Sequence, residues 1–310
     1  MWIILIIFVV LVLLYLVCNY FYNLAISPGK KTFLKRNSDL PETSSCDVRV
    51  EGREWLDRVR KIRCSIKSHD GLNIRAIFIP SDNPQQKMFV VIAHGYSSRG
   101  SHMGVYSKFF NQELGFNVLI PDNRGHGESE GNYIGFGWHD RLDYIRWTEY
   151  LINTYGNDIK VILFGISMGA ATVLMTGGEN PPDNVKAIIS DCGYTSAWDI
   201  LSFRLRRMYG LPPFPLMHFT SLMTYVKAGY FLSEASALKQ VKKARLPILF
   251  IHGSKDTFVP FEMGMRLYEA CPSEKKFYVV EDAGHIECIV KDYDNYCKTI
   301  KDFIGGLRLD

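Results

Sequence analysis

Six short, continuous apolar runs, each closed by a glycine or an aspartate, constrain the fold of this chain more than any other feature. Runs of this length and composition are typical of strands that are buried on both faces of a sheet. They predict strands at 88–95, 116–122, 160–165, 185–191, 246–253 and 275–282. Helical stretches are predicted between and after them, at about 102–114, 138–155, 168–177, 262–271 and 287–304.

A β-hairpin is predicted before these runs, at residues 61–79, where two segments with period-two alternation flank an Asp-Gly turn. Strands that alternate with helices favour a mostly parallel central sheet with helices on both faces, so we predict an α/β fold. The alternation is interrupted between about 195 and 240 by a segment rich in aromatic, Leu and Met residues. We expect this insertion to form a small helical cap over an active site.

The segment from Trp2 to Cys18 carries no charged side chain, and the first charged side chain of the sequence is Lys30. With the aromatic residues at 20–22, the segment reaches the roughly 20 apolar residues that a helix needs to cross a bilayer. A cleaved signal peptide would carry a basic region before the apolar run and small residues at a cleavage site, and the sequence has neither. We therefore predict a single transmembrane anchor at residues 1–26.

Residues 27–45 are polar and contain two prolines, so they predict a linker between the anchor and one large domain at 46–310. No basic side chain precedes the anchor, whereas four follow it: Lys30, Lys31, Lys35 and Arg36. The positive-inside rule then places the domain on the cytoplasmic face of the membrane.

The composition argues against two other kinds of site. The formal charge is +4 over 310 residues without a Lys/Arg-rich run, so we predict no nucleic-acid partner. None of the cysteines forms a C-x-x-C pair, so neither a zinc site nor a disulfide framework is predicted. We expect most of them to be buried free thiols: Cys18, Cys46, Cys64, Cys192, Cys271, Cys288 and Cys297.

The sequence GISMG at 165–169 has the pattern G-x-S-x-G, and it lies between a predicted strand and a predicted helix. A serine on such a sharp turn has little room around it, so its flanking positions need glycine. The turn exposes the serine hydroxyl, and the amino end of the following helix favours developing negative charge. The pattern therefore predicts Ser167 as a nucleophile.

A serine nucleophile needs a basic histidine and a carboxylate that orients it, and in this architecture they follow in the order Ser, Asp or Glu, His. Asp256 and His285 lie on loops just after two predicted strands, where α/β sheets build their sites. Asp191 closes the preceding strand and is the alternative position for the acid. His252 ends a strand and is expected to be a core histidine.

Two backbone amides are needed to stabilise the tetrahedral intermediate. The amide of Met168 is predicted to supply one, and the amide of Tyr96, after the strand that ends at His94-Gly95, the other. The glycine-containing run at 122–127 (DNRGHG) is expected to be a structural turn that braces the nucleophile loop.

With these residues in place, the chain resembles the α/β-hydrolase superfamily over about residues 60–305. The motifs HGYSSRG, PDNRGHGESEG, GISMGA, HGSKDTFVP and AGH occur in the order of that superfamily. Within it the chain is most similar to serine aminopeptidase S33-like and cinnamoyl-esterase-like bacterial hydrolases. The resemblance implies hydrolysis of an ester, thioester or amide through an acyl-enzyme without a cofactor. It also implies Ser167, Asp256 and His285 as triad and Tyr96 and Met168 as oxyanion donors.

The leading hypothesis is a carboxylic ester hydrolase that acts on a small-molecule acyl or aryl ester, because the predicted cap is aromatic and Leu-rich. An aminopeptidase is the alternative, and it would need a carboxylate such as Glu234 to hold the amino group of the substrate. A non-catalytic hydrolase fold used for binding is a third hypothesis. One fold hosts many chemistries, so the fold does not choose among them.

Overall fold

The computed structural model describes residues 1–34, 37–40 and 48–308. An eight-stranded sheet forms its centre. The strands are β1 (Ile62–Lys67), β2 (Asn73–Ile79), β3 (Met88–Ala93), β4 (Asn117–Pro121), β5 (Lys160–Ile166), β6 (Val185–Asp191), β7 (Ile248–Gly253) and β8 (Lys275–Val280). Their order in the sheet is β1-β2-β4-β3-β5-β6-β7-β8.

The pairing agrees with the predicted topology. β1 pairs with β2 as an antiparallel hairpin, β2 is antiparallel to β4, and all pairs from β4 to β8 are parallel. Alternate residues of each central strand enter two separate cores. In β5, Val161 and Leu163 pack on one side of the sheet, and Ile162 and Phe164 pack on the other. The mostly parallel α/β fold with helices on both faces is confirmed.

The helices are α1 (Trp2–Ala25), α2 (Val48–Arg58), α3 (Gly104–Lys108), α4 (Asp140–Tyr155), α5 (Met168–Gly177), α6 (Ala197–Tyr209), α7 (Leu216–Ala228), α8 (Ala237–Val241), α9 (Phe261–Ala270), α10 (Cys288–Lys291) and α11 (Tyr293–Gly305). Two predicted helices are divided. The segment at 102–114 continues from α3 into one π-helical turn, Phe109–Glu113, and the segment at 287–304 breaks at Asp292.

The helix α2 was not predicted from the sequence. Its Gly52 lies against the backbone of α3, where a Cβ atom would overlap Val105. A polar helix that carries a glycine near its centre has weak local signals, because glycine disfavours helix formation and only the close crossing with α3 requires it.

The predicted cap is present as α6 and α7, which lie between β6 and β7 in the chain. The helix α8 completes the insertion and contacts α5 and α9. The helix α1 is the one described helix that is long and apolar enough to cross a membrane, and near an N-terminus this is also what a signal sequence looks like. Its first sixteen residues are mostly exposed, but Cys18, Tyr22 and the following Ile26 are buried.

The described part of the predicted linker 27–45 is docked to the domain rather than loosely packed. The carboxylate of Asp39 binds Arg204 and Arg207 of α6 and accepts a hydrogen bond from Thr257. These bonds outweigh the burial of the group and hold the pKa of Asp39 below its usual range, with the bond from Arg207 contributing most. Lys35, Arg36 and residues 41–45 lie outside the described residues.

The cysteines agree with the prediction of free thiols where they are described. Five are buried and Cys64 is half-buried: the buried ones are Cys18, Cys192, Cys271, Cys288 and Cys297. Cys46 lies outside the described residues. The described thiols thus behave as small core side chains.

Candidate active site

Ser167 lies on a strained turn between β5 and α5, with φ 55° and ψ −115°. A side chain at Gly165 would overlap the carbonyl of Gly169, and one at Gly169 would overlap the carbonyl of Ala93. Both glycines are therefore required by close backbone contacts, as the pattern predicted. The turn holds a non-glycine residue at positive φ, an arrangement that costs about 1–3 kcal/mol and persists only where the surroundings enforce it.

The structure brings Ser167, His285 and Asp256 together although they are far apart in the chain. The Nε2 atom of His285 lies 2.9 Å from Oγ of Ser167, and its Nδ1 atom lies 2.7 Å from Oδ2 of Asp256. With Nδ1–H donating to the carboxylate, Nε2 is left as an acceptor for the serine proton. This geometry meets the requirements of a nucleophile, a base and an orienting acid. The catalytic roles of the three residues stay a prediction.

The carboxylate of Asp256 is fully used by its neighbours. Its Oδ1 atom accepts the amides of Phe258 and Val259, at 2.9 and 2.8 Å. His252 lies 3.4 Å from Oδ2 and also contacts the carbonyl of Val259, so it is a core histidine as predicted, but one that touches the acid. Burial alone would raise the pKa of Asp256, but His285 and His252 hold it below its usual value.

Asp191, the alternative acid, does not reach the imidazole. Its Oδ2 atom accepts a hydrogen bond from Tyr296 at 2.9 Å, and its Oδ1 atom has no partner among the described residues. Burial raises the pKa of this carboxyl group to about 6, against the hydrogen bond from Tyr296. The backbone of Asp191 does contribute, because its carbonyl accepts the amide of Ser167 at 2.8 Å.

The two predicted oxyanion donors are both next to the nucleophile. Met168 is the first residue of α5, and Tyr96 lines the same pocket as Ser167. Gly95 lies close enough that a Cβ atom there would be 3.6 Å from Cβ of Ser167. Neither the Met168 nor the Tyr96 amide has an acceptor in the described part of the chain, so both remain available. Their role as an oxyanion hole stays a prediction.

The turn at 122–127 braces a different loop from the predicted one. The Nδ2 group of Asn123 donates to the carbonyl of His94 at 3.2 Å, and Nε2 of His126 lies 2.7 Å from the carbonyl of Tyr96. Arg124, fully buried, pairs with Asp143. These bonds go to the loop of Tyr96 and not to the nucleophile loop. The prediction that 122–127 is a structural turn is correct, but the prediction that it braces the nucleophile loop was wrong. The turn follows β4, and β4 lies beside β3, which precedes the Tyr96 loop, and not beside β5, which precedes the nucleophile.

An apolar pocket extends from Ser167 under the cap. Its walls include Ile200, Leu201 and Leu205 of α6, Leu216 and Met217 of α7, and Phe21, Leu24 and Ala25 of α1. Phe258 stacks on the ring of His285, with centroids 4.8 Å apart, and the guanidinium of Arg204 lies 4.3 Å from the centroid of the Phe258 ring. Arg204 is the one charged side chain in the described lining.

Glu234 does not face this pocket. It is exposed, and its carboxylate accepts the amide of Phe231 within its own turn at 2.6 Å. The described lining contains no carboxylate that could hold the amino group of a peptide substrate. The suggestion that Glu234 would hold the amino group of a peptide substrate is therefore wrong.

Among the residues that the structure describes, one group of side chains has donor atoms close enough for a metal ion: those of Cys192, Asp256 and His285 lie within 4.8 Å of one another. The set fits a metal poorly, because both nitrogens of His285 already bond Asp256 and Ser167. Burial also raises the pKa of the Cys192 thiol well above its usual value, and a neutral thiol is a weak ligand.

Three contributions to the site were not predicted from the sequence: His252 beside Asp256, Phe258 on His285, and the α1 side chains in the pocket. The first two lie within four residues of Asp256, so local sequence offered a signal for them. No local signal identifies Phe21 or Leu24, because the α1 segment is apolar on every side.

Comparisons with known proteins find hydrolase families that this chain is similar to. A family model described as serine aminopeptidase S33 matches residues 84–208, and one described as serine hydrolase FSH1 matches residues 162–286. The Bacillus subtilis protein YqkD, itself uncharacterised, is 30% identical over 256 residues, which is 82% of this chain and 83% of that protein.

Solved structures share the fold. The Pyrococcus furiosus esterase Pf2001 aligns with a TM-score of 0.66 at 20% identity, covering 91% of this chain and 97% of that one. The Pyrococcus horikoshii acylaminoacyl peptidase aligns at 0.59 and 16% identity, covering 81% of this chain and 43% of that one. The chain therefore belongs to the α/β-hydrolase superfamily. The resemblance predicted from the motifs is confirmed.

Proposed function

We propose that this hydrolase cleaves carboxylic esters or thioesters through an acyl-enzyme, with Ser167 as nucleophile, His285 as base and Asp256 as the orienting acid. The observation that carries the proposal is the chain of hydrogen bonds from Ser167 through His285 to Asp256, at the base of an apolar pocket. A pocket of this kind favours an acyl group over a charged peptide terminus.

In the proposed reaction the Oγ atom of Ser167 attacks the substrate carbonyl while Nε2 of His285 takes the hydroxyl proton. The amides of Met168 and Tyr96 stabilise the oxyanion. The imidazolium then protonates the leaving group, and a water molecule releases the acid by the same route. The charge of Asp256 stabilises the imidazolium at each step.

An aminopeptidase is the second candidate, supported by the serine aminopeptidase description of one matching family and by the fold of the acylaminoacyl peptidase. The pocket supports it less, because its described lining has no carboxylate.

We propose further that α1 anchors the protein in a membrane as a single span, with the domain on the cytoplasmic side because of Lys30 and Lys31.

The test compares p-nitrophenyl esters with aminoacyl anilides, using the full chain and Ser167→Ala. We expect turnover of the esters, fluorophosphonate labelling of the native protein, and loss of both in Ser167→Ala. Faster turnover of the anilides would instead support the peptidase. A native protein that neither reacts with the fluorophosphonate nor hydrolyses either substrate would indicate a non-catalytic binding protein.

A further inference from the structure

The helix α1 forms part of the wall of the site, besides having the composition of an anchor. Phe21, Leu24 and Ala25 line the apolar pocket that also contains Ser167. The hydroxyl of Tyr96 donates to the carbonyl of Ala25 at 2.6 Å, which ties the end of α1 to the loop of the predicted oxyanion donor. We call this pocket the acyl lobe, defined by these residues of α1 with Leu201 and Leu205 of α6.

The cap helix α7 continues the apolar surface of α1. Phe219, Leu222 and Val226 are exposed on α7, and they form a groove with Leu11 and Leu14 of α1. Leu11 lies fourteen positions before the end of α1, at Ala25, so this part of α7 runs beside the middle of the apolar segment. If α1 lies in a bilayer, α7 meets the acyl chains of one leaflet, and the acyl lobe, lined by the last residues of α1, lies at the surface of that leaflet.

A second lobe lies on the other side of the nucleophile and has a different chemistry. It is lined by Arg49 and Arg53 of α2, by Ser97 and Ser98, and by His102, and it shares Ser167 and Tyr96 with the acyl lobe. We call it the cationic lobe. Its described lining has no carboxylate. Burial and the charges of Arg99 and Arg53 lower the pKa of His102, as expected where positive charges gather.

We propose, on the basis of the ester hydrolase function above, that the substrate is a membrane lipid with one long acyl chain and a phosphate-bearing head group. The chain would occupy the acyl lobe and reach it from the leaflet beside α1 and α7. The phosphate would lie in the cationic lobe, where the guanidinium of Arg53 and the hydroxyls of Ser97 and Ser98 match its oxygens. The ester carbonyl then falls at Ser167, where the lobes meet.

The proposed reaction needs water as its only co-substrate. Oγ of Ser167 forms a bond to the acyl carbon as the bond from that carbon to the glycerol oxygen breaks. The proton taken by His285 passes to the leaving glycerol oxygen. Water then cleaves the acyl-enzyme and yields a fatty acid and a glycerol phosphate.

The experiment uses the full chain in phosphatidylcholine nanodiscs and two matched substrates, 1-palmitoylglycerol 3-phosphate and 1-palmitoylglycerol, with p-nitrophenyl butyrate as the reference. We expect kcat/KM for the phosphate-bearing lipid to exceed that for the neutral one by about tenfold, the effect of one charge-assisted hydrogen bond. Equal rates for the two lipids would overturn the head-group part of the proposal.

Two variants separate the lobes. Ala25→Phe should lower the ratio of palmitoyl to butyrate turnover by at least about tenfold, because the phenyl ring fills the acyl lobe that the long chain needs. Val17→Phe, at an exposed position of the same helix, is its control. Arg53→Gln should remove most of the preference for the phosphate, whereas Arg58→Gln, exposed on the same helix and paired with Glu54, should not.

The butyrate reference distinguishes failure of the ester hydrolase function from failure of the proposed lipid substrate. No hydrolysis of butyrate and no fluorophosphonate labelling would refute the ester hydrolase function itself. If the native protein hydrolyses butyrate but Ala25→Phe does not change palmitoyl turnover, the acyl lobe alone is refuted. Equal losses in Ala25→Phe and Val17→Phe would show an effect on membrane insertion and not on the pocket, which also contradicts the proposal.

Discussion

Two buried aspartates lie at the carboxyl ends of the neighbouring parallel strands β6 and β7, and their surroundings give them opposite pKa shifts. Asp256 has four partners for its two oxygens, two of them histidines, and its pKa is lowered. The carboxylate of Asp191 accepts one hydrogen bond within the described part of the chain, from Tyr296, and its pKa is raised to about 6. Because both side chains are almost fully buried, the difference comes from the partners and not from the depth.

A position at the end of a strand therefore does not determine which aspartate can orient the histidine. Both carboxyl groups lie near the imidazole of His285, so the positions of the strand ends alone would allow either aspartate to be the acid. Asp256 is charged and aimed at Nδ1 of His285, at 2.7 Å, whereas Asp191 bonds a tyrosine on α11. A carboxyl group held neutral up to about pH 6 is a weak partner for an imidazolium below that pH.

Replacement of the Asp256 carboxylate should have the largest effect on catalysis. Asp256→Asn should reduce kcat for p-nitrophenyl butyrate by about ten-thousand-fold, because an amide no longer holds His285 in the required tautomer. Asp191→Asn should reduce it by no more than about threefold. Steady-state kinetics measures both, on protein whose folding is verified by circular dichroism. Comparable losses in the two variants would contradict the assignment of Asp256 as the acid.

A second effect concerns stability and tests Asp191. Its pKa is raised on folding, so its contribution is fully present below about pH 4 and is lost as the pH rises through about 6. The cost above that pH is about 3 kcal/mol. Asp191→Asn should therefore raise the Tm of the detergent-solubilised protein at pH 7.5 and give little gain at pH 4.5. An equal change at both pH values would show that the effect does not come from titration of Asp191.

A smaller effect on catalysis is expected at Phe258, which contacts the imidazole of His285. The ring of Phe258 holds the imidazole of His285 by stacking, and such a contact is worth about 0.5–1.5 kcal/mol. Phe258→Leu should lower kcat by up to about tenfold with little change in Tm. Phe261→Leu is the matched control, since Phe261 packs on His252 and Phe277 and not on His285. Equal losses of kcat in both variants would argue against positioning by Phe258.

Much of the fold was predictable because its signals are local. Each central strand is buried on both faces, so it appears in the sequence as an unbroken apolar run, and the boundaries of β5 and β6 agree within one residue. The α2 helix escaped prediction because its stability comes from its crossing with α3 at Gly52 and Val105. The π-helical turn at Phe109–Glu113 likewise has no local signature in the sequence.

Parts of the candidate site were likewise predictable where their signals are local, and not where they depend on packing. Ser167 was predictable because the close contacts of Gly165 and Gly169 demand a short, recognisable pattern. The target of the turn at 122–127 was not, because strand order decides which loops become neighbours. That α1 borders the pocket was also beyond the sequence, because a helix that is apolar on all sides does not reveal which face packs on the domain.

The sequence by itself determined the order of the elements, the strand-to-helix turn at Ser167 and an N-terminal segment that water would not solvate well. These properties follow from hydrophobic periodicity and from the conformational freedom of glycine, both of which act over a few residues. Only the tertiary structure decided that Asp256 and not Asp191 reaches His285, and that Phe21, Leu24 and Ala25 share a pocket with the nucleophile. Those outcomes depend on distances between residues far apart in the chain, which packing alone sets.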